Sequence, residues 1–311
     1  MAMIEVRNLT KHFKKTQALK GISFDINQGD IFGYIGPNGA GKTTTIKVLA
    51  TLLLPTMGQA FIDGIDVIRD PMAVRKIIGY MPDFFGVYDE MKAWEYLDFF
   101  AACYRIPKQK RLGIIDDVLE LTDLTTKKES FVHELSRGMK QRLCLARCLV
   151  HDPKVLLLDE PASGLDPRAR IELRELLKEL GRMGKTILVS SHILTELADF
   201  CNTVGIIEAG SMVLSGKIDD ILREIKGYKV LEIKVKERDE EAREILLSIE
   251  KVSDCRICEP CFLKVNFAGE TDDIPDIVDK LKERGIKVIS FSEEETDLED
   301  LFMRVTKGIV T

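Results

Sequence analysis

At 311 residues the chain is long enough for two domains, and its seven dispersed cysteines, an odd number, exclude the disulfide framework of a small secreted protein. The formal charge of −6 is unevenly placed: residues 228–311 hold 21 acidic against 14 basic residues, which leaves residues 1–227 near +1, and neither part has the basic footprint of a nucleic-acid binder. No stretch approaches the roughly 20 apolar residues needed to cross a bilayer and the first residues carry no apolar signal core, so a soluble, cytosolic protein is expected.

Residues Ile4 to Leu9 alternate apolar and polar side chains as a half-buried strand does, and Gly21 to Ile26 can pair with them ahead of the turn Gln28-Gly29-Asp30. This predicts an antiparallel β edge. Between the two strands lies Lys11-His12-Phe13-Lys14-Lys15. Phe13 is a candidate stacking platform for a nucleotide base, or an aromatic capping an exposed edge.

The apolar run Ile31 to Ile35 predicts a buried strand, and Thr44 to Leu53 predicts a helix with Ile46, Leu49, Ala50 and Leu53 on one face. Between them stands Gly36-Pro37-Asn38-Gly39-Ala40-Gly41-Lys42-Thr43, followed by Thr44, which fits the phosphate-binding pattern in the strand–loop–helix context that pattern requires. Glycines let the loop wrap and turn its N–H groups inward, and the helix N-terminus favours an anion. Lys42 supplies a cation for the β and γ phosphates of a bound triphosphate, and the Thr43 hydroxyl suits Mg²⁺.

Gly58 to Ile62 reads as a strand, Asp70-Pro71 as the start of a short helix, and Ile77 to Met81 as a strand running into Pro82-Asp83. From Phe84 to Tyr104 the chain places eight of its 21 aromatic residues, including the only tryptophan. Such a cluster suits either a partner interface or the core of a small helical subdomain. Residues 112–124 predict an amphipathic helix carrying Ile115, Val118, Leu119 and Leu121, followed by the polar connection 125–130. Ser136 sits where a helix N-cap belongs, and Ser136 and Gly138 form a second candidate anion site without a lysine in its loop.

Val155 to Leu158 predicts a buried parallel strand that delivers Asp159 and Glu160 to the carboxyl edge of a sheet, where ligands of open α/β sheets lie. Asp159 suits Mg²⁺, directly or through water, and Glu160 can take a proton from the water that attacks a γ phosphate. Pro167 opens a helix over 168–180. Thr186 to Ser190 is another buried strand, with Ser191-His192 at its end, where an imidazole could meet the γ phosphate or orient the attacking water.

Taken in order, these motifs over residues 1–225 resemble the nucleotide-binding subunit of an ATP-binding cassette (ABC) transporter. On that resemblance Phe13 takes the adenine-stacking position, Gly36 to Thr44 the Walker A loop, Asp83 the Q-loop, Leu135 to Met139 the signature, Leu156 to Glu160 Walker B, Ser163 to Asp166 the D-loop, and His192 the switch histidine. It implies ATP and Mg²⁺, with Thr43, Asp159 and Asp83 near the metal and Lys42, Asp83, Glu160 and His192 catalytic. It also implies a head-to-tail dimer in which Ser136 and Gly138 of one copy close over the ATP held by Gly36, Pro37, Asn38, Gly39, Ala40, Gly41, Lys42, Thr43 and Thr44 of the other, driving a separate membrane permease. Two positions depart from the family pattern: Asp83 replaces the Q-loop glutamine, and the signature reads Leu-Ser-Arg-Gly-Met, with Arg137 for a glycine. Arg137 either offsets the charge of Asp83 across the dimer or points into solvent.

The remaining chain reads as strand 229–236, helix 240–249, a hairpin over 252–258 and 262–267, helix 274–284 and strand 286–291, the βαββαβ order of a ferredoxin-like α+β unit. A last amphipathic helix is expected, with Thr296 and Glu299 as a capping box and Leu298, Leu301, Phe302 and Val305 on one face. The expected fold is therefore α/β: a P-loop NTPase core of ABC type over 1–225, with an antiparallel β edge, a mixed central sheet and a helical subdomain at about 84–150, then an accessory domain over 226–311. The ending resembles that of ATPases exporting drugs, lipids or polysaccharides, which implies a peripheral place at the inner face of the cell membrane and no nucleic-acid partner. Other readings are an importer ATPase with a ligand-sensing C-terminal domain, or a soluble ABC ATPase acting on ribosomes or DNA. Cys255, Cys258 and Cys261 have the spacing that begins an iron–sulfur site, but with no fourth ligand in view free thiols are expected.

Overall fold

A computed structural model describes residues 2–14, 16–83, 86, 88–193, 197, 200–218, 220–221, 229–269 and 273–293. Two compact units result, the first ending at Ile218 and the second carrying the elements from Lys229 to Glu293. The final helix expected around Thr296 to Val305 lies outside the described residues.

In the first unit, β1 (Ala2–Phe13) and β2 (Thr16–Asn27) pair antiparallel, and β4 (Met57–Ile62) and β5 (Ile65–Asp66) extend them into a four-stranded sheet of order β2-β1-β4-β5. The antiparallel edge is thus a sheet of its own. The central sheet has six strands in the order β10-β9-β3-β8-β7-β6, where β3 is Ile31–Ile35, β6 Ile78–Met81, β7 Val155–Leu158, β8 Thr186–Ser191, β9 Thr203–Glu208 and β10 Ser211–Lys217. Only the β9–β10 pairing is antiparallel. Strands β3 and β7 are buried at every position, as continuous apolar runs in a parallel sheet covered on both faces must be.

Phe24 from the antiparallel sheet stacks on Phe32 from the central one, with ring centroids 5.3 Å apart, and Tyr34 packs beside both. Each such buried side chain contributes about 1.5–3 kcal/mol of transfer free energy, so this apolar layer holds the two sheets together. The Tyr34 hydroxyl meets Thr45 Oγ1 at 3.1 Å, tying β3 to the helix behind the phosphate loop.

That helix, α1 (Lys42–Leu49), begins two residues before its expected start and stops four before its expected end. Thr51 takes left-handed backbone at φ 61°, which breaks the ladder and leaves Leu52 exposed. Helix α2 (Pro71–Ile77) is capped by Asp70, whose carboxylate accepts from the Ala73 N–H. Helices α3 (Ala93–Cys103), α4 (Lys108–Leu121) and α5 (Arg137–Leu149) form the helical subdomain. Its aromatic residues divide: Tyr96 is fully buried, whereas Tyr88, Phe99 and Tyr104 are exposed, so the cluster serves both a core and a surface. Helix α6 (Pro167–Arg182) comes after the loop that leaves β7.

The second unit is an antiparallel sheet of order β12-β13-β11-β14, with β11 Lys229–Val235, β12 Val252–Glu259, β13 Phe262–Phe267 and β14 Val288–Glu293. Helices α7 (Asp239–Leu247) and α8 (Ile274–Glu283) cover one face, meeting Leu231, Ile233, Val265 and Phe267 with Ala242, Leu246, Ile277 and Leu281. This is the ferredoxin-like arrangement. Its three clustered cysteines are free thiols: burial pushes Cys255 up to about 11, and Cys258 is exposed. Among the described residues no three His, Cys, Asp or Glu side chains gather as a metal site.

Candidate active site

Four parallel strands, β3, β8, β7 and β6, lie side by side, and their carboxyl ends deliver Gly36, His192, Asp159 with Glu160, and Asp83 to one edge of the sheet. The phosphate loop turns at Gly41, the residue before α1, where φ is 112° and an added Cβ would lie 2.8 Å from both Ala18 O and Leu19 Cδ2. No side chain fits there. The ammonium of Lys42 is buried, donating to Gly36 O at 2.6 Å and Pro37 O at 3.2 Å and lying 3.2 Å from Glu160 Oε1.

Glu160 stands in left-handed backbone, φ 49°, which costs a residue with a Cβ roughly 1–2 kcal/mol. The turn aims its carboxylate back over the loop. Oε2 accepts from His192 Nδ1 at 2.8 Å, so one carboxylate bridges the lysine and the histidine. Ser190 fixes the base of this arrangement: its hydroxyl donates to Asp159 Oδ1 at 2.8 Å and accepts the Glu160 N–H at 3.0 Å.

Asp159 is buried, and burial raises its pKa above the ordinary carboxylate value; hydrogen bonds from Ser190 and Thr43 oppose the rise, while the charges of Asp83 and Glu160 add to it. Its Oδ2 is buried without a hydrogen-bond partner among the described residues. A buried carboxylate oxygen with a free lone pair, beside a threonine hydroxyl and near a second carboxylate, is a donor set that fits Mg²⁺. Thr43 and Asp83 are themselves exposed.

Ser136 caps α5, its hydroxyl accepting the Met139 N–H at 3.3 Å. Gly138 faces α6 and the loop before it, where an added Cβ would meet Ala169 Cβ at 3.4 Å and Leu165 Cδ2 at 3.6 Å. Arg137 donates from Nη2 to Ser163 O of its own chain at 3.0 Å, so its guanidinium has a partner and is not simply solvated. Buried Gln141 donates to Pro161 O at 2.9 Å and to Ser163 O at 3.2 Å.

The fold therefore brings Lys42, Thr43, Asp83, Asp159, Glu160 and His192 together. Ser136 and Gly138 make their described contacts elsewhere. Phe13 stands exposed at the end of β1 with Lys11 Nζ 4.9 Å above its ring. Two residues of the site, Ser190 and Gln141, are not singled out by any sequence motif. A hydroxyl ending the apolar run Thr186 to Ser190 was a usable signal for the first; nothing local marks a glutamine on a polar helix face as a loop tether.

A lysine-bearing phosphate loop facing a buried Asp–Glu pair and a histidine across one sheet edge defines a P-loop ATPase. The family described as ABC transporter matches residues 19–163. The chain is 33% identical over 310 residues to the Nod factor export ATP-binding protein I of Rhizobium meliloti (strain 1021), covering 97% of this chain and 88% of that protein. It is 29% identical over 306 residues to the linearmycin resistance ATP-binding protein of Bacillus subtilis (strain 168), covering 98% of each. A bacterial ABC transporter cassette solved as a dimer superposes with a TM-score of 0.63 at 27% identity, over 70% of this chain and 99% of that one. The chain belongs to the ATP-binding proteins of ABC transporters and is an ATPase. None of its described helices is long and apolar enough to cross a membrane.

Proposed function

We propose that this chain is the ATP-hydrolysing subunit of an ABC exporter, acting as a head-to-tail homodimer beneath a separate membrane-spanning permease at the inner face of the cell membrane. The observation that carries the reading is the position of Glu160, one carboxylate oxygen on Lys42 and the other on His192. Lys42 and the loop from Gly36 to Thr44 hold the β and γ phosphates. Glu160 accepts the proton of the attacking water, and His192 orients the water or the γ phosphate. Thr43, Asp159 and Asp83 would hold Mg²⁺, which neutralises charge on the phosphate oxygens. Phe13 stacks on adenine, and Ser136 with Gly138 of the second copy completes each site.

Export is favoured by the relatives named for Nod factor export and linearmycin resistance. A groove lined by Leu52, Met72, Tyr80, Phe100, Tyr104 and Arg147 is the proposed seat of the permease, since Leu52, Met72 and Tyr104 are 58%, 62% and 39% exposed. Residues 226–311 serve as an accessory domain for dimer contact or regulation.

The test has two arms. Glu160→Gln protein with ATP and Mg²⁺ is expected to run as a dimer in size-exclusion chromatography with light scattering, and a monomer would count against the head-to-tail site. Co-expressed permease is expected to co-purify with wild type and to be lost on Leu52→Glu or Tyr104→Glu while nucleotide binding persists. ATPase activity stimulated by nucleic acid instead of permease would overturn the transport reading.

A further inference from the structure

The loop from Pro161 to Asp166 carries the chain from Glu160 to α6, and side chains of α5 grip it. Gln141 holds the carbonyls of Pro161 and Ser163, and Arg137 adds a second bond to Ser163 O. From that same residue the N–H of Ser163 donates to Glu160 O at 3.0 Å. A continuous path of hydrogen bonds thus runs from the Arg137 guanidinium through one residue to the backbone of the candidate general base. Glu160 is the residue that needs it, because its left-handed backbone persists only while its surroundings over-determine it.

Gly164 makes the grip possible. A Cβ built there would lie 2.3 Å from Arg137 Cζ and Nη2 and 2.4 Å from Nη1, so the guanidinium lies against the space only a glycine leaves open. Gly164 also has φ +67°, a conformation that keeps its peptide turned toward the arginine. Arg137 and Gly164 form one fitted contact built from two separate segments of the chain.

We propose that Arg137 is a positioning residue for hydrolysis: it holds the loop after Glu160 from within its own chain and so keeps the Glu160 carboxylate over the phosphate loop. This rests on the role assigned above to Glu160. It differs from a pairing of Arg137 with Asp83 across a dimer, which would leave the loop untouched.

Two measurements test it. In nucleotide-free protein, Arg137→Ala is expected to speed hydrogen exchange of the amides from Ser163 to Leu165 about tenfold, the loss of one charge-assisted hydrogen bond, with α6 unchanged. In Mg-ATP turnover the same variant is expected to lower kcat by about tenfold and leave KM within about twofold, because the contact acts on the base and not on nucleotide binding. Arg137→Lys, whose ammonium can reach the same carbonyl, recovers most of kcat. Gly164→Ala is expected to lower kcat at least as far, since its Cβ displaces the guanidinium and its φ of +67° strains the same loop.

Unchanged exchange together with unchanged kcat in Arg137→Ala would overturn the proposal. So would coupling of Arg137→Ala to Asp83→Gln in a double-mutant cycle. Wild-type turnover that survived Glu160→Gln would instead overturn the role of Glu160, while the exchange measurement still decides whether the grip exists.

Discussion

The Lys42 ammonium lies 3.2 Å from Glu160 Oε1, in a pair whose side chains are only 6% and 12% exposed. So little solvent leaves the attraction weakly screened, and because Oε1 makes no hydrogen bond among the described residues, the pair is held by charge alone. A polyphosphate entering the loop competes with Glu160 for the lysine. On the proposed role of Glu160, that exchange would free the carboxylate for proton transfer as the substrate arrives.

Glu160→Gln removes the competing charge without changing shape. ATP is expected to bind as tightly as to wild type or a few-fold tighter, while turnover falls by about 10²–10⁴-fold. Fluorescent-nucleotide titration and phosphate release measure the two separately.

Lys42→Ala acts in the opposite direction. Loss of the buried cation proposed to meet the phosphates is expected to weaken ATP binding by about 100-fold, since hydrogen bonds to charged groups contribute roughly 1.5–3 kcal/mol each. Isothermal titration calorimetry gives the constant, and retention of near-wild-type affinity would remove Lys42 from the site.

Ser190→Ala deprives Asp159 Oδ1 of a donor and the Glu160 N–H of an acceptor at once. Leaving buried polar groups unpaired costs about 1–3 kcal/mol each, so both the urea midpoint and kcat are expected to fall. Ser190→Thr, which keeps the hydroxyl, is expected to lose less of each.

Gly41→Ala places a Cβ against Ala18 O and Leu19 in a backbone of φ 112°. Strain and overlap together predict a loss of about 2–4 kcal/mol in stability and no measurable nucleotide binding. Thermal unfolding and nucleotide titration on the same preparation check both.

His151 offers a pH test away from the site. Its ring stacks on Tyr104 at 3.7 Å between centroids, Nε2 bonds Ile78 O at 2.8 Å, and Nδ1 is buried without a hydrogen-bond partner among the described residues. Burial lowers its pKa, so the unfolded chain takes up the proton first. Stability is complete above the unfolded value of about 6.5 and is lost as pH falls through it toward the depressed folded value, by up to about 1.4 kcal/mol per pH unit. His151→Phe keeps the stack and is expected to flatten this dependence in denaturant titrations between pH 7.5 and 5.

Much of the site was legible in the linear chain because its groups sit at the ends of short, mainly apolar runs. Ile31 to Ile35, Val155 to Leu158 and Thr186 to Ser190 read as buried strands, and their parallel pairing sets the residues at their carboxyl ends along the same sheet edge. Helix limits were less legible. Thr51 ends α1 by a backbone conformation that a threonine does not advertise.

The sequence by itself determined which residue types carry the chemistry: a lysine in a glycine loop, two carboxylates after an apolar strand, a histidine after another, and a βαββαβ tail. Only the tertiary structure decided how they pair. The glutamate bridges lysine and histidine, Ser190 locks both carboxylate residues, and Arg137 and Gln141 reach across to the loop behind Glu160. The physical reason is distance along the chain. Periodicity and turn chemistry act over a few residues, whereas the bonds of Arg137 to Ser163 and of His192 to Glu160 join residues 26 and 32 positions apart, brought together by the packing of strands and helices.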